Sequence, residues 1–456
     1  MNDLSPQQTA DLQRLDAAHH LHPFSDQAAL RDEGVRVVVR GAGPYVWDST
    51  GHRILDGMAG LWCVNVGYGR DELVDAAARQ MRELPYYNAF FKTTSTPTAR
   101  LAERIAGLTP PGLDRMFFGS SGSEANDTAI RLVRQYWTLK GRPNKQIIIS
   151  RRDAYHGSTI GAASMGGMGA MHGQGGARLG GFVHVTPPYK FGEGEPGESD
   201  EAFGLRAAKA VEDAILEAGR DNVAAFVGEP IQGAGGVRIP PANYWAEVER
   251  ICRRHDVLLM ADEVITGFGR LGEWFGCQAM SFQPDTMVVA KAITSGYVPL
   301  SATVVSDEIA ATLDEGGEFF HGYTYSGHPV ASAVALANIE IIEHEGLIER
   351  VRDETGPYLL QALDEAVGDH PHVGEVRAHG LIAAIEIVRD RATGERFPGE
   401  GAAGMRLRDV LIENGLMMRA VGDTMILSPP LIWGRETIDE AVDMLRRGFG
   451  TARFEG

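Results

Sequence analysis

The chain has 456 residues, of which 44% are hydrophobic and 23% are charged. Both fractions are close to globular averages, so a disordered chain is excluded and about two domains are expected. The 43 lysines and arginines stand against 61 aspartates and glutamates, and the net charge of −18 argues against nucleic acids or anionic membranes as partners.

The cysteines and the N-terminus indicate a cytoplasmic protein. Cys63, Cys252 and Cys277 lack C-x-x-C spacing, so we expect buried free thiols, with neither a disulfide framework nor a zinc site. Residues 1–18 are polar and of mixed charge, without the apolar core of a secretion signal, and no run of 18 apolar residues occurs. We therefore expect a cytoplasmic protein with no membrane partner and no bound metal.

The first 59 residues are predicted to form a helix followed by a small antiparallel sheet. Strands are predicted at 35–39, 45–47 and 53–55, and residues 48–51 have the composition of a turn between the last two. We expect this segment, residues 1–59, to join a smaller domain formed by the C-terminal part of the chain.

Residues 60–331 are predicted to form a large α/β domain. Short apolar strands alternate there with helical patterns. Such alternation is typical of a mainly parallel sheet covered by helices on both faces. The predicted strands include 147–149, 225–227, 258–260 and 287–289.

Residues 332–456 are predicted to form the smaller domain, of α+β type. A long helix near 329–345 leads into it, and a further helix follows Glu436. Between these helices, strands are predicted at 381–388, 416–419 and 425–427.

A lysine and an acid each follow a predicted buried strand. Lys291 ends the apolar run that begins at Met287, and Asp262 closes the run that begins at Val257. In open α/β sheets ligands bind beyond the carboxyl ends of the strands, so one site is expected to hold both side chains. A lysine amine can form a Schiff base with an aldehyde, and a carboxylate can keep a pyridine nitrogen protonated. Pyridoxal phosphate chemistry needs both groups, although either residue alone could be a surface charge.

A turn of small residues before a helix supplies a candidate phosphate site. Residues 119–126, Gly-Ser-Ser-Gly-Ser-Glu-Ala-Asn, precede apolar positions with three-to-four spacing. Small residues let the backbone approach an anion closely, and the free N–H groups of a helix start can donate to it. We predict that Ser121, Gly122 and Ser123 bind phosphate. The alternative is that Ser121 or Ser123 is only the helix N-cap.

A series of segments runs in order through nearly the whole chain. They are His22-Pro-Phe24, 55–62 (LDGMAGLW), 87–91 (YNAFF), 121–125 (SGSEA), 154–158 (AYHGS), 229–233 (EPIQG), 261–264 (ADEV), Lys291, 321–329 (HGYTYSGHP) and Arg419. The series resembles the class III pyridoxal-phosphate-dependent aminotransferases, especially the branch that acts on ω-amino acids or on amines with pyruvate. The resemblance implies the aspartate-aminotransferase-like fold, which is pyridoxal phosphate fold type I.

The resemblance also implies a role for each matching cofactor residue. Lys291 would carry the cofactor and later move a proton, as general base and acid. Asp262 would pair with the pyridinium nitrogen. Tyr155 and Val264 would lie on opposite faces of the ring, and Glu229 would be a charged group near the substrate pocket.

Phosphate binding would involve a second chain. By the resemblance, Gly122 and Ser123 would bind the phosphate together with Thr324 of a neighbouring subunit. A homodimer with shared active sites would then be part of the mechanism, and a tetramer is also compatible with this expectation.

The resemblance places an apolar, aromatic pocket around the amine donor. Arg419 would bind the carboxylate of pyruvate or of an ω-amino acid through its planar fork. Core packing is the alternative for the aromatic residues, and a strand-edge surface position is the alternative for Arg419. The expected pocket residues are Phe24, Leu61, Trp62, Phe90, Tyr155, Ala234 and Arg419.

We therefore expect an enzyme that moves an amino group from an ω-amino acid or primary amine to pyruvate. Two half-reactions would yield alanine and an aldehyde or ketone. The residues do not choose among β-alanine, taurine, putrescine or an aryl amine as donor. Decarboxylation-linked transamination or an aminomutase reaction is the alternative with the same cofactor.

Two other classes of function remain open from the sequence. Gly267, Gly269 and Gly272 match the glycine spacing of a dinucleotide-binding turn, which would suggest a nicotinamide-dependent oxidoreductase. Residues 262–264 separate these glycines from the strand, which weakens the match. A non-catalytic binding protein on the same fold is the other class, since fold alone does not determine function.

Overall fold

Three β-sheets organise residues 4–175, 178–399 and 401–454, the part of the chain that the computed structural model describes. The strands are β1 (Val38–Ala42), β2 (Tyr45–Asp48), β3 (Arg53–Asp56), β4 (Leu113–Gly119), β5 (Ile147–Arg151), β6 (Phe182–Val185), β7 (Val223–Gly228), β8 (Leu258–Asp262), β9 (Thr286–Val289), β10 (Ser301–Ser306), β11 (Val373–Ala378), β12 (Ala383–Ile387), β13 (Leu416–Met417), β14 (Arg419–Val421) and β15 (Thr424–Leu427).

Helices cover these sheets and connect their strands. They are α1 (Pro6–His19), α2 (Gln27–Glu33), α3 (Ala59–Trp62), α4 (Asp71–Glu83), α5 (Thr96–Ala106), α6 (Gly122–Leu139), α7 (Ile160–Met165), α8 (Gly169–His172), α9 (Lys190–Glu193), α10 (Asp200–Ala218), α11 (Tyr244–His255), α12 (Gly276–Ala279), α13 (Asp307–Glu315), α14 (Pro329–His344), α15 (Leu347–Arg350), α16 (Gly356–Val367), α17 (Ala402–Glu413) and α18 (Arg435–Thr451). No helix in the described ranges is both long enough and apolar enough to traverse a bilayer.

The large sheet has seven strands in the order β4-β10-β9-β8-β7-β5-β6. The five strands from β6 to β9 pair in parallel, whereas β10 is antiparallel to both of its neighbours, β9 and β4. The strands predicted in this region lie within β5, β7, β8 and β9. The prediction of a mainly parallel sheet is therefore confirmed.

Helices cover both faces of this sheet, as two neighbouring residues of β5 show. Ile148 belongs to a buried cluster with Val133 and other apolar residues of α6. Ile149 points to the opposite face and belongs to the cluster that contains Phe203 of α10 and Trp245 of α11. Every residue of β7 and β8 is buried, which is typical of parallel strands between two helical layers. The faces are closed, so a ligand must enter at an edge.

The N-terminal sheet has the order β1-β2-β3-β13, so it includes a strand from the C-terminal part of the chain. The strand predicted at 35–39 is wrong in its bounds, because β1 runs from Val38 to Ala42. The tight connection at Gly43 pairs Ala42 with Tyr45 and sets the register, and β1 is largely exposed. The turn geometry, and not the apolar run, therefore determines where this strand lies.

The third sheet has the order β11-β12-β15-β14, and β11 was not predicted. The single strand predicted at 416–419 is wrong, because the chain changes sheets at Met418. Leu416 pairs in parallel with Leu55 of β3, whereas Arg419 pairs with Ile426 of β15. The predicted helices near 329–345 and after 436 are confirmed as α14 and α18.

Candidate active site

A cavity of about 340 Å³ opens where the parallel strands of the large sheet end. Glu229 directly follows β7, Asp262 ends β8, and Lys291 lies two residues after β9. Because β7, β8 and β9 are adjacent and parallel, these three side chains converge on one edge of the sheet. The cavity is lined by these residues and by the start of α6.

Asp262 is 3% exposed and is held by three hydrogen-bond donors. Its Oδ2 lies 2.6 Å from His156 Nδ1 and accepts from Asn126 Nδ2 at 2.9 Å, while Oδ1 accepts from the N–H of Val264 at 3.1 Å. Asn126 also donates to the carbonyl of His156, which ties the two partners together. A buried carboxylate needs such donors to remain charged, and these fix its orientation toward the cavity.

This hydrogen-bond network is not evident from the amino-acid sequence. Asn126 lies on α6 one turn after the phosphate-site residues, and His156 follows Tyr155, so both were within recognised motifs but had no assigned role. A buried asparagine on a helix, where an apolar residue would be ordinary, was the available signal.

Lys291 combines a strained backbone with an unpaired amine. Its φ of +49° lies in the left-handed region, where a residue with a side chain is uncommon and is held by its surroundings. The amine has no hydrogen-bond or ion-pair partner within the described ranges. Burial lowers the pKa of Lys291 below its ordinary value of 10.5, and the carboxylates of Asp262 and Glu229 offset only part of this effect. The side chain is thus suited to act as a nucleophile and proton carrier.

The turn before α6 lets neighbouring groups approach its backbone closely. Ser121 is the N-cap of this 18-residue helix, and its hydroxyl accepts from the N–H of Glu124 at 3.2 Å. A Cβ on Gly122 would lie 3.2 Å from both Cγ atoms of Val264. The Ser123 hydroxyl accepts from the N–H of Ser158 at 3.0 Å. The N-cap alternative therefore holds for Ser121, and the turn still presents the start of α6 to the cavity.

Glu229 holds the backbone of the Tyr155 loop. Its Oε2 accepts from the N–H of Gly233 at 2.8 Å, and its Oε1 accepts from the N–H of Tyr155 at 3.4 Å. Burial raises the pKa of Glu229 above its ordinary value.

Tyr155 and Val264 both line the cavity, and the Tyr155 hydroxyl lies 3.1 Å from Ser158 Oγ.

Some of the residues expected around the amine donor lie at the cavity, and others do not. Leu61 lines the cavity, and the exposed Phe24 places its ring 6.1 Å from that of Tyr155 in an edge-on arrangement. Trp62 is only 1% exposed and packs in a buried cluster with residues such as Ile231. Ala234 is also buried, and neither it nor Trp62 is among the residues that line the cavity described above.

Phe90 and Thr324 lie together outside the cavity. The ring of Phe90 packs so closely on Gly322 that a Cβ there would come within 2.7 Å of it. Thr324 is exposed, and its carbonyl accepts from the Tyr86 hydroxyl at 2.6 Å. Within one chain these residues therefore form a surface separate from Lys291.

Arg419 lies at the start of β14, in electrostatic reach of the cavity. Burial lowers the pKa of its guanidinium below the ordinary value, and the nearby hydroxyl of Tyr155 acts in the opposite direction. Its positive charge also lowers the pKa of Lys291. The guanidinium has no hydrogen-bond or ion-pair partner in the described part of the chain, so it is available for an anion.

The sequence profile of the aminotransferase class-III family matches residues 28–449. The chain belongs to the class III aminotransferases. This class III aminotransferase is 53% identical to a putrescine–pyruvate aminotransferase of Pseudomonas aeruginosa over 96% of both chains. A crystal structure of a thermostable (S)-enantioselective ω-transaminase from Thermomicrobium roseum has a TM-score of 0.93 and 47% identity, covering 97% of this chain and 98% of that one. An ω-transaminase from Pseudomonas jessenii in complex with PMP has a TM-score of 0.93 and 39% identity, covering 96% and 97%.

These comparisons confirm the expected family, fold type I, reaction class and cofactor, pyridoxal phosphate. The cavity also fits that cofactor in its own right. It offers an unpaired amine at Lys291, a carboxyl acceptor at Asp262 and the N-terminus of a long helix at Gly122. Its volume lies in the range of small-ligand sites.

The glycine spacing at Gly267, Gly269 and Gly272 has a structural explanation. A Cβ on Gly272 would lie 2.8 Å from Cβ of Arg352, and one on Gly269 would lie 2.8 Å from Leu431. These glycines therefore allow close packing against the C-terminal part of the chain. They do not open a helix after a strand, which a dinucleotide-binding turn requires, so the oxidoreductase interpretation is wrong.

Proposed function

We propose that this aminotransferase takes the amino group of a linear alkyl diamine such as putrescine and delivers it to pyruvate. The observation that carries the proposal is the unpaired Lys291 amine in one cavity with the buried carboxylate of Asp262. The relative at 53% identity, a putrescine–pyruvate aminotransferase, supports the choice of donor and acceptor.

Pyridoxal phosphate supplies an aldehyde and an electron-accepting ring when it is bound. Lys291 would hold that group and would then take a proton from the substrate carbon and return it, for which a lowered amine pKa is suited. Asp262, oriented by His156 and Asn126, would keep the pyridine nitrogen protonated. Tyr155 and Val264 would confine the ring from its two faces, and Gly122 and Ser123 would bind the phosphate.

The cavity wall supports a donor with an apolar chain. Leu61, Ile265 and Leu300 line it, and its surface is more apolar than polar. Arg419 would bind the carboxylate of pyruvate, because its guanidinium lacks a protein partner and lies near Tyr155. A neutral or cationic donor would leave Arg419 unused, so one pocket would serve both half-reactions.

We further propose a homodimer in which the surface around Thr324 completes the partner's site. Segments 86–91 and 320–325 are adjacent and carry exposed aromatic side chains. Phe91 is 89% exposed and Phe320 is 79% exposed. Large apolar side chains are rarely exposed side by side on a surface that contacts only water. Phe91→Asp combined with Phe320→Asp should yield monomers in sedimentation analysis that retain pyridoxal phosphate poorly. A double variant that remains dimeric would contradict this surface.

The function is tested by the absorbance spectrum of the purified holoenzyme before and after excess putrescine or L-alanine. Loss of the cofactor's visible band, with about one pyruvate released from alanine per subunit, is expected for the half-reaction. Lys291→Ala should show neither change. A coloured protein that both amines leave unchanged would favour a different pyridoxal phosphate reaction, and bleaching by alanine alone would remove the diamine from the proposal.

A further inference from the structure

Three potential metal ligands converge at the end of α1, outside the active site. We call Asp16, His20 and His22 the N-terminal histidine cluster. One ligand atom from each lies within 4.8 Å of the others, and no other such trio of histidine, cysteine or acidic side chains occurs in the described ranges. We propose that this cluster binds one divalent transition-metal ion of the Zn²⁺ type.

Each histidine of the cluster already contacts one oxygen of the Asp16 carboxylate. His20 Nδ1 lies 3.0 Å from one oxygen of the Asp16 carboxylate, and His22 Nε2 lies 2.7 Å from the other. In a tetrahedral site with bonds of about 2.0–2.2 Å, neighbouring ligand atoms are separated by roughly 3.3 Å. Small side-chain rotations would therefore open room for an ion between the imidazoles and the carboxylate.

The chemistry of the three groups suits such an ion. Two neutral imidazoles and a carboxylate are a ligand set typical of Zn²⁺, with a fourth position left for water. The hollow beside the cluster has a volume of about 250 Å³ and is also lined by His19 and Arg31. The positive charge of Arg31 would repel a bound metal cation.

The backbone on either side of the cluster is fixed before any ion binds. Asp16 lies in the last turn of α1, and the N–H of His20 donates to its carbonyl. The side chain of Gln27 accepts from the N–H of His22 and donates to the His22 carbonyl at 2.7 Å. These restraints reduce the backbone freedom that binding would cost, which favours affinity.

The cluster lies two residues before Phe24, whose ring meets Tyr155 at the mouth of the cavity. An ion on His22 would therefore hold the segment that carries Phe24 against the active site. The ion would act through position, and it takes no part in the proposed amino transfer.

The test is titration of tag-free holoenzyme with Co²⁺, followed by its visible d–d absorption, and with Zn²⁺ by calorimetry. We expect one ion per subunit. His22→Ala and the near-isosteric Asp16→Asn should each weaken binding at least about tenfold. His344→Ala, which removes an exposed histidine elsewhere, should bind like the parent chain.

The cofactor's visible band reports folding in the same samples, so a variant that loses the ion but keeps the band has lost the metal site alone. Absence of Co²⁺ and Zn²⁺ binding at submillimolar concentration would overturn the proposal. Binding that His22→Ala and Asp16→Asn leave unchanged would overturn it as well, because the ion would then lie elsewhere.

Discussion

His156 Nδ1 lies 2.6 Å from Asp262 Oδ2, and both side chains are almost completely buried. The other ring nitrogen of His156, Nε2, has no hydrogen-bond partner within the described residues. The imidazole is therefore held by the carboxylate on one side only, and Asp262 depends on it for one of its three donors. We therefore expect His156 to act as a positioning residue for Asp262, the acid proposed to face the cofactor ring.

Removing this donor should weaken the cofactor site. A hydrogen bond to a charged group contributes about 1.5–3 kcal/mol, so His156→Ala should raise the dissociation constant of pyridoxal phosphate by roughly tenfold to a hundredfold. Fluorescence titration of apoenzyme measures this constant. His156→Asn can still present an N–H near Asp262 and should recover part of the loss; equal loss in both variants would argue against a role through that donor.

The partly buried amine of Lys291 should lower the stability of the apoenzyme. Its folded pKa is lowered, whereas the unfolded chain has the ordinary value of 10.5. Between these values the unfolded state binds a proton that the folded state lacks, so stability rises with pH across this window. Lys291→Met should abolish turnover and raise the apoenzyme's free energy of unfolding at pH 7 by about 1–3 kcal/mol, with a smaller gain near pH 10.5.

Urea unfolding of the apoenzyme at both pH values, at constant protein concentration, checks the Lys291 prediction. Lys92→Met is a matched control, because Lys92 also has a positive φ, +64°, but is exposed. Its substitution should change stability little at either pH. A Lys291→Met apoenzyme no more stable than the parent at pH 7 would contradict the cost of burying the amine.

Substitution of Arg419 should affect the half-reaction with pyruvate more than the half-reaction with the amine. Arg419→Ala removes the proposed charge-assisted contact to the pyruvate carboxylate, and we expect KM for pyruvate to rise by roughly tenfold to a hundredfold. The half-reaction with an uncharged amine should be largely preserved. Arg419→Lys keeps the charge but loses the planar fork, so its KM for pyruvate should lie between those of the parent enzyme and of Arg419→Ala. Equal loss with amine and pyruvate would remove the proposed role.

Adding a side chain at position 122 should weaken cofactor binding. Gly122→Ala places a methyl group 3.2 Å from the Cγ atoms of Val264, which must then move toward the proposed ring position. Overpacking of this kind typically costs about 1–3 kcal/mol, so we expect cofactor affinity to fall by roughly tenfold. Val264→Ala should restore part of that affinity in the double variant, and strictly additive losses would contradict the steric explanation.

Much of the active site followed from local sequence. Lys291 and Asp262 were recognisable because each ends a short apolar run, and the carboxyl ends of parallel strands meet at one edge. The turn at 121–123 was recognisable because small residues before an apolar helical period indicate a helix start. These signals depend on neighbours along the chain, so the sequence contains them without reference to the fold.

Other features depended on partners far away in sequence. The network of Asn126, His156 and Asp262 joins α6, β8 and the loop between β5 and α7, and nothing near each residue indicates the other two. The N-terminal histidine cluster was missed for a related reason: its members are close in sequence, but only the end of α1 and the contacts of Gln27 orient them toward one point.

The sequence by itself determined the family, because the ordered series of motifs that resembles it lies in the chain, and the α/β alternation, because apolar periodicity is a property of the chain. It also identified Lys291, Asp262 and the turn at 121–123 as candidates for the site. Only the tertiary structure decided that Trp62 is buried and that the segment 416–419 divides between two sheets, with Arg419 at the start of β14. The physical reason is that burial and strand pairing are set by competition among all apolar surfaces and backbone groups of the folded chain, and no local window contains those competitors.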